Sequence, residues 1–426
     1  MPYVRRCVDD ELDELFPHLA AIALEGPKGV GKTATATQRA VTVLELDRPE
    51  QVQLLDADTA RLERLPKPIL VDEWQRHPRV WDLVRRNVDA NATGGQFLLA
   101  GSATPADATI HSGAGRIVRL RMRPLSLFER NLAVPTIRLR DMLQATRDFP
   151  VIEGSSNLAL TDYVHEIVAS GFPGIRDLPE RARQAQLSSY VDRIADVEFV
   201  EQGLRLAKPA SLRAWMEAYS AATATTAAYN AILDAATPGD SDKPSRVTTG
   251  QYREMLARLF LLDPVPGWVP ATNALTRLAQ APKHHLVDPA LAAQILGVSK
   301  DPLLSATPDA NRPQFGDGYL LGQFFESLVA QSVRVYAQHN EATVSHLRTK
   351  NGDHEIDFIV QGRDRRVVAL EVKLSPLVED KDVVHLHWLR RKLGPGLADA
   401  GVITTGTDAY RRKDGIAVIP AALLAP

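Results

Sequence analysis

The residues GPKGVGKT at positions 26–33 combine glycines, a lysine and a hydroxyl side chain at the spacing G-x-x-x-x-G-K-[ST]. Glycines let backbone N–H groups turn inward around phosphates, and a lysine at this position reaches the β- and γ-phosphates. We therefore expect Lys32 to contact the phosphates of ATP or ADP and the Thr33 hydroxyl to ligate Mg²⁺. The alternative is a chance glycine-rich turn. The expected nucleotide-binding residues are Gly26, Pro27, Lys28, Gly29, Val30, Gly31, Lys32, Thr33 and Ala34.

Three further candidates lie at the ends of apolar runs. The run ILVDE at 69–73 ends in Asp72, which can hold Mg²⁺ through water, and Glu73, which can polarise the attacking water as a general base. On its own this pattern also fits an exposed acidic strand end. Ser102, after the run FLLAG, can sense the γ-phosphate or simply begin a turn.

Arginines follow in the stretch HSGAGRIVRLRMRPLSLFE. Arg116 comes after a glycine turn, so it can act as an arginine finger on the γ-phosphate held by a neighbouring subunit. Arg119, Arg121 and Arg123 alternate along a strand and share a face. We expect those three to lie on a solvated edge strand.

These residues need a parallel sheet to position them. Apolar runs at 20–26, 68–73 and 96–104 alternate with polar helical stretches, which predicts an α/β doubly wound sheet over residues 1–150. Residues 151–305 are mostly helical and Ala-rich. A loop at 237–245 precedes a helix that runs into a strand at 248–265, which indicates a winged-helix-like unit.

The last part, residues 306–426, returns to an α/β pattern. An amphipathic helix at 318–338 precedes two strands, at 354–361 and 366–375, that flank a turn. A helix at 382–394 and closing strands at 401–406 and 415–420 complete the predicted order.

Composition excludes several classes of protein. The 426 residues carry a formal net charge of -2, so no global basic field attracts nucleic acid. The single cysteine, Cys7, can form neither an internal disulfide nor a thiolate metal cage. The amino-terminal stretch is charged and has no apolar core, and the apolar runs fall short of the roughly 20 residues that a membrane helix needs. We therefore expect a cytoplasmic protein with no membrane partner.

Eight stretches together resemble the bacterial and archaeal AAA-superfamily ATP-binding proteins that carry a C-terminal domain of unknown function. They are GPKGVGKT, ILVDEWQ, FLLAGSA, GRIVRLRMRPLSLFE, GFPGI, PKHHLVDPALAAQILG, GDHEIDFIV and LEVK. The resemblance implies an AAA-type core, a winged-helix-like middle, a restriction-endonuclease-like end and a homo-oligomer. It supplies no physiological role. Trp74 departs from the smaller aliphatic residue usual in the family, and the Ala/Thr-rich insertion near 220–245 is peculiar to this chain.

The C-terminal carboxylates resemble the PD-(D/E)xK nuclease core. Strand alternation puts Glu371 and Lys373 on one face, and a hairpin brings Asp357 beside them. In such a core the Asp and Glu hold Mg²⁺ while the Lys orients or activates water. Glu326 matches an extra acidic residue of some such enzymes, and Glu355 shares a strand face with Asp357. The alternative is a set of ordinary ion pairs.

Weaker candidates are histidine pairs and basic clusters. His385 and His387 have helical spacing two, so they point to different faces and cannot share a metal, and His284 and His285 have the same problem. The basic clusters at 390–392 and 411–413 favour solvated surface over phosphate contacts.

Three hypotheses about function follow from these features. The first is an Mg²⁺-dependent ATPase coupled to a nuclease-like domain that binds or cleaves DNA. The second is an ATP-switched DNA-binding or regulatory protein with a silent nuclease fold. The third is a protein-remodelling ATPase with no nucleic-acid partner.

Overall fold

The computed structural model describes residues 3–103, 114–146, 149–201, 208–237, 244–268, 281–305, 318–349 and 352–426. The predicted loop at 237–245 falls mostly outside these ranges, as does the end of the predicted strand at 96–104. Within the described ranges, each helix is too short or too polar to cross a membrane.

The N-terminal part is built on a parallel five-stranded sheet with the order β2-β3-β4-β1-β5. Its strands are Ala21–Glu25 (β1), Thr42–Glu45 (β2), Ile69–Asp72 (β3), Phe97–Gly101 (β4) and Ile117–Arg121 (β5). Its helices are Cys7–Leu15 (α1), Lys32–Thr37 (α2), Pro49–Ala57 (α3), Arg61–Arg64 (α4) and Arg79–Ala90 (α5). The three predicted apolar strands and the parallel α/β sheet are confirmed, whereas the short strand β2 was not predicted.

Both faces of this sheet are buried, as continuous apolar strands require. Ala21 and Ala23 of β1 belong to an apolar cluster that includes Trp81 of α5. Ile22 and Leu24, which point to the opposite face, belong to a second cluster that extends into the rest of the chain. The sheet is therefore a rigid platform whose carboxyl edge can hold chemistry.

The middle part is helical, after a connection that contains Ile137–Arg138 (β6), Leu139–Gln144 (α6) and Gly154–Ser155 (β7). The helices are Leu160–Ala169 (α7), Pro173–Arg176 (α8), Glu180–Arg193 (α9), Phe199–Glu201 (α10), Pro209–Ala221 (α11), Tyr229–Ala235 (α12), Arg246–Arg258 (α13), Pro289–Ile295 (α14) and Lys300–Leu304 (α15). After α13, isolated bridges pair Leu262 with Leu286 and Val265 with Lys283. The predicted helix is present, but only these isolated bridges stand where a strand was predicted, and the winged-helix-like assignment stays a prediction.

The C-terminal part begins with the long helix Tyr319–His339 (α16) and is built on a mixed seven-stranded sheet. This part supplies six strands of the sheet, Thr343–Arg348 (β8), Glu355–Gln361 (β9), Val367–Lys373 (β10), Leu397–Thr404 (β11), Asp408–Arg411 (β12) and Ala417–Pro420 (β13), and the seventh is β7. Its last strand, Leu424–Ala425 (β14), lies outside this sheet. Its helix is Val384–Leu393 (α17). The sheet order is β7-β12-β13-β11-β10-β9-β8, and β14 pairs with β6. The predicted helices and the predicted strands at 354–361, 366–375, 401–406 and 415–420 are present; β8 and β12 were not predicted.

Candidate functional site

The loop at residues 26–31 joins the carboxyl end of β1 to the first residue of α2, which is the context that the motif predicts. Gly29 and Gly31 have φ of 77° and 104°, backbone conformations that side chains other than glycine rarely adopt. A Cβ added to Gly26 would lie 2.2 Å from the Met122 carbonyl oxygen. A side chain at any of these three positions would therefore strain the backbone or collide with it.

The Lys32 ammonium lies inside this loop. It donates hydrogen bonds to the carbonyl oxygens of Gly26, at 2.9 Å, and Pro27, at 2.8 Å. Burial lowers the pKa of Lys32 to about 8, although the Glu73 and Asp72 carboxylates oppose the shift. An anion beside a buried ammonium stabilises its charged form. This agrees with the predicted contact between Lys32 and the phosphates.

Thr33 and Asp72 are brought into direct contact. The Thr33 hydroxyl donates to both Asp72 carboxylate oxygens, at 2.9 and 3.1 Å, and Asp72 is the last residue of β3. Burial raises the pKa of Asp72, while the hydrogen bond from Thr33 lowers it. A hydroxyl beside a carboxylate is an oxygen donor set that suits Mg²⁺, so these two residues fit the predicted ion.

Glu73 follows Asp72 in a left-handed backbone conformation, with φ of 51°. This conformation costs energy in a residue other than glycine and is frequent at functional sites. The Gln75 side-chain amide donates to Glu73 Oε2, at 2.6 Å, and to the buried hydroxyl of Ser102, at 3.1 Å. Gln75 thus connects the predicted general base to the predicted γ-phosphate sensor, and its place in the stretch ILVDEWQ is the signal that could have identified it.

The Trp74 side chain packs against Gly101, the residue before Ser102. Its indole is buried against Trp81, with ring centroids 4.6 Å apart. A Cβ added to Gly101 would lie 2.4 Å from the Trp74 Nε1 atom. The indole therefore requires a glycine directly before Ser102.

Two cavities border the loop. One, of about 220 Å³, is lined by Lys28, Gly29 and Ser102 and by Arg193 at the end of α9. The other, of about 710 Å³, is lined by Gly31 and Ala34 among others. Tyr3, Thr35 and Pro173 also line this second cavity. No motif in the sequence predicts a role for Arg193, Tyr3 or Pro173.

The middle part contacts the loop directly. The Lys28 ammonium lies 2.7 Å from a Glu198 carboxylate oxygen, and the Tyr190 hydroxyl donates to the Lys28 carbonyl at 3.2 Å. A conformational change in the loop would therefore alter its contacts with the helical part.

Arg116 lies away from the loop of its own chain. β5 runs parallel to β1, with Ile117 beside Ala21, so Arg116 is near the amino edge of the sheet while the loop is at the carboxyl edge. Its guanidinium is exposed and bonds to Asp89 at 2.8 Å. Action on a neighbouring subunit stays a prediction.

The prediction of a solvated face for the three alternating arginines is wrong for two of them. Arg119 is exposed, but Arg121 lies over the Phe260 ring and donates to the Phe260 carbonyl. Arg123 is buried, and its Nε atom lies 2.7 Å from a carboxylate oxygen of Asp263. The strand is at the edge of the sheet as expected, but the segment after α13 covers it.

Asp263 also binds a cation from the C-terminal part. The Arg334 guanidinium of α16 lies 3.2 Å from Asp263 Oδ1. Burial opposes ionisation of Asp263, but the charges of Arg123 and Arg334 hold its pKa well below the usual range. This buried carboxylate therefore joins all three parts of the chain.

The predicted C-terminal residues come together at one place. The Lys373 ammonium lies 3.0 Å from Glu371 Oε1, and the backbone N–H of Val372 donates to Asp357 Oδ2 at 2.8 Å. Glu326 reaches the same place from α16. Another cation is also present, because the buried Lys283 ammonium lies 2.6 Å from Asp357, 2.9 Å from Glu326 and 3.3 Å from Glu355.

The charged groups of this cluster change one another's pKa. Burial raises the pKa of Glu326 and Glu371, and the Asp357 charge raises both further. Burial acts in the same direction on Asp357, but Lys283 holds its pKa below the usual value. Across the described residues, no three or more His, Cys, Asp or Glu side chains are grouped so that they could hold a metal ion. The assignment of Glu326, Asp357 and Glu371 as metal ligands stays a prediction.

The other candidates have internal partners. His385 contacts His354 at 3.1 Å and His387 contacts Asp414 at 3.0 Å, so the two side chains diverge as expected. In the basic clusters, Arg411 bonds to the buried Asp399. Arg390 donates to backbone carbonyls at 414 and 415.

The loop, its hydroxyl–carboxylate pair and the parallel sheet define a P-loop nucleotide-binding domain. More particularly, residues 19–131 match a family model described as an AAA domain. The N-terminal part is therefore similar to an AAA-type P-loop domain, and this match supports an ATPase function. Residues 160–302 and 321–424 match models described as domains of unknown function, DUF8612 and DUF4143. The restriction-endonuclease-like fold and the boundaries at 150 and 305 stay predictions.

Weaker similarities exist among solved structures. The Walker-type ATPase PABY2304 of Pyrococcus abyssi is 13% identical, with a TM-score of 0.35 over 67% of this chain and 94% of that chain. The ORC2 protein of Aeropyrum pernix, in ADPNP-ADP complexes, is 14% identical, with a TM-score of 0.29 over 70% and 93%. Neither similarity is strong enough to support a functional conclusion. No curated protein matches this chain significantly.

Proposed function

We propose that this protein binds ATP with Mg²⁺ at residues 26–34 and hydrolyses it to ADP and phosphate. One observation carries the proposal: the side chains of Lys32, Thr33, Asp72 and Glu73 converge on a single glycine-rich loop at the carboxyl edge of the parallel sheet. This is the set of groups that phosphoryl transfer to water requires.

Each group has a distinct role in this proposal. The backbone N–H groups of the loop and the Lys32 ammonium bind the phosphates. The Thr33 hydroxyl and the Asp72 carboxylate would hold Mg²⁺, which supplies charge neutralisation when it is bound. Glu73 accepts a proton from the attacking water through Oε1, because Gln75 occupies Oε2. Ser102 is held by Gln75 on the side that would face the γ-phosphate.

The two cavities suit the rest of the nucleotide. The larger one, of about 710 Å³, begins at Gly31 and has an aromatic and an apolar wall from Tyr3 and Pro173, which suits a purine base. The smaller one is lined by Ser102 and by Arg193. The Arg193 guanidinium would be a second cation in addition to Lys32 and would favour the triphosphate over the diphosphate.

We also propose a homo-oligomer, in which Arg116 of one subunit completes the site of the next. What supports this is its exposure at the sheet edge, away from its own loop. An arginine supplied in trans would stabilise the charge that develops on the γ-phosphate.

The test of hydrolysis is Glu73→Gln. Loss of a general base lowers turnover by about 10²–10⁴-fold, while ATP affinity stays within a few fold. Phosphate release and ATP affinity are measured on the same preparation, and the exposed Glu50→Gln serves as the matched control. Equal turnover of Glu73→Gln and the wild type would exclude Glu73 as the base.

For the C-terminal part we propose a nuclease-like domain that is silent in cleavage and acts as an ATP-switched regulatory module. The order α16, β8, β9, β10, α17, β11 and the meeting of Asp357, Glu371 and Lys373 support the nuclease-like arrangement. Lys283 among the carboxylates supports silence. DNA and RNA panels with ATP and Mg²⁺ or Mn²⁺ test this. Cleavage lost in Asp357→Ala would favour an active nuclease instead, and absence of salt-sensitive DNA retention would favour protein remodelling.

A further inference from the structure

The side chain of Lys283 enters the C-terminal acidic cluster from the middle part of the chain. Two backbone hydrogen bonds with Val265, of 2.9 and 3.0 Å, fix the backbone of Lys283. This pairing positions the side chain so that its ammonium reaches the cluster. Only 2% of the side chain is exposed. A lysine is rarely buried to this extent unless anionic groups surround it.

The ammonium occupies the centre of the cluster. It contacts Asp357 and Glu326 at 2.6 and 2.9 Å, and Glu355 at 3.3 Å. These carboxylates come from two different elements, β9 and α16. Asp357 and Glu326 are two of the three carboxylates predicted to bind Mg²⁺ in a nuclease-like site, where the metal lies about 2.0–2.1 Å from its oxygen ligands.

A divalent cation and this ammonium exclude each other. Both would bind the same carboxylate oxygens, and two cations in a buried site repel each other strongly because water does not screen them. The nuclease-like arrangement and its metal are thus in disagreement in this chain.

We infer that Lys283 is the built-in cation of the C-terminal cluster and takes the place of the divalent metal while the segment from 281 to 287 is docked. The inference rests on the proposed nuclease-like arrangement but not on the proposed ATP hydrolysis. The ion pairs of Lys283 hold the middle and C-terminal parts together at this site. Removal of the ammonium converts the site into a divalent-cation site.

The test uses Mn²⁺ binding to the full chain. All variants carry Asp72→Asn, which removes the predicted metal ligand at the P-loop, and no nucleotide is added. Calorimetry and electron paramagnetic resonance then count bound Mn²⁺. We expect no Asp357-dependent ion in the Lys283 background, about one ion per chain in Lys283→Met, and none in Lys283→Met with Asp357→Asn.

Two controls separate charge from packing. Lys283→Arg keeps a cation and should gain no site, whereas the exposed Lys381→Met should behave like its parent. Lys283→Met leaves buried carboxylates without a cation, so its Tm should fall and rise again with Mn²⁺, whereas the Tm of the parent should not respond.

Two results would overturn the inference. The first is an Asp357-dependent Mn²⁺ ion in the chain that retains Lys283, which tests the claim even if Lys283→Met does not fold. The second is a folded Lys283→Met variant that binds no Mn²⁺ and gains no stability from it. DNA cleavage is measured separately. Mn²⁺ binding tests the assignment of the cation, whereas cleavage tests whether the domain is an active nuclease, so failure of one proposal can be distinguished from failure of the other.

Discussion

The Thr33 hydroxyl donates to both carboxylate oxygens of Asp72, at 2.9 and 3.1 Å. This contact joins the first turn of α2 to the end of β3 through two residues that are 39 positions apart in sequence. It places the two predicted Mg²⁺ ligands against each other at the carboxyl edge of the sheet, beside the Lys32 ammonium.

Thr33→Ala should lower Mg²⁺-dependent ATP hydrolysis by roughly 10–100-fold, because it removes an oxygen ligand and the hydrogen bond that orients Asp72. Thr33→Ser keeps the hydroxyl and should retain most activity. Phosphate release measured against Mg²⁺ concentration checks this. A normal Mg²⁺ dependence in Thr33→Ala would remove Thr33 from the metal site.

Lys32 gives the ATP affinity a predictable pH dependence. Its pKa is lowered to about 8 by burial, and a bound triphosphate would raise it again. Below pH 8 the ammonium is already present, so this group adds no slope. Above pH 8 binding must take up a proton, so the affinity should fall by up to about tenfold per pH unit.

Calorimetric titration with ATP between pH 7 and 10 measures this slope. Lys32→Arg stays cationic over the whole range and should lose the slope. The same slope in Lys32→Arg as in the wild type would assign it to another group.

Gly26→Ala and Gly250→Ala form a matched pair. A Cβ on Gly26 would lie 2.2 Å from a backbone oxygen, so the loop must shift and stability should fall by about 1–3 kcal/mol with loss of ATP affinity. Gly250, inside α13, has nothing within 4 Å, so alanine should stabilise the protein by up to about 1 kcal/mol. Urea unfolding followed by tryptophan fluorescence compares them, and equal effects would show that Gly26 is not a point of close approach.

Much of the loop was predictable from sequence, because its chemistry lies in one contiguous motif between a strand and a helix. Asp72 was predictable for the same reason, since an apolar strand leads directly to it. The apolar pattern also gave β9, β10 and β11 of the C-terminal sheet. In contrast, β2 has only four residues and shows no continuous apolar run.

Contacts between distant segments were beyond sequence pattern. Alternation placed Arg121 and Arg123 on one face but could not show that residues 260–263 cover it. Lys283 lies in the stretch PKHHLVDPALAAQILG, which carries a family resemblance but no predicted role for the lysine, and two of its acidic partners are 43 and 74 residues further along the chain. Such pairs depend on tertiary packing, which no local periodicity encodes.

Asp263→Asn should destabilise the protein by about 3–5 kcal/mol, since it leaves Arg123 and Arg334 buried without their counter-charge. The folded-state pKa of Asp263 is lowered despite its burial, so its contribution is complete above pH ~4 and is lost as the pH falls further. The difference between variant and wild type should therefore shrink towards pH 3. Chemical unfolding at several pH values measures it.

Asp364→Asn is the matched control for that experiment, because Asp364 pairs with Arg366 at the surface and should change stability by no more than about 1 kcal/mol. A loss as small for Asp263→Asn would show that the buried joint between the three parts does not stabilise the fold.

The most direct test of ATP binding at the P-loop is calorimetric titration of the purified wild type and Lys32→Ala with ATP and Mg²⁺ at pH 7.5. The wild type should bind about one nucleotide per chain, and Lys32→Ala should lose affinity by at least about tenfold because the buried ammonium that faces the phosphates is gone. A wild-type protein with no heat of binding for ATP or ADP, or a Lys32→Ala variant with unchanged affinity, would contradict the assignment of this loop.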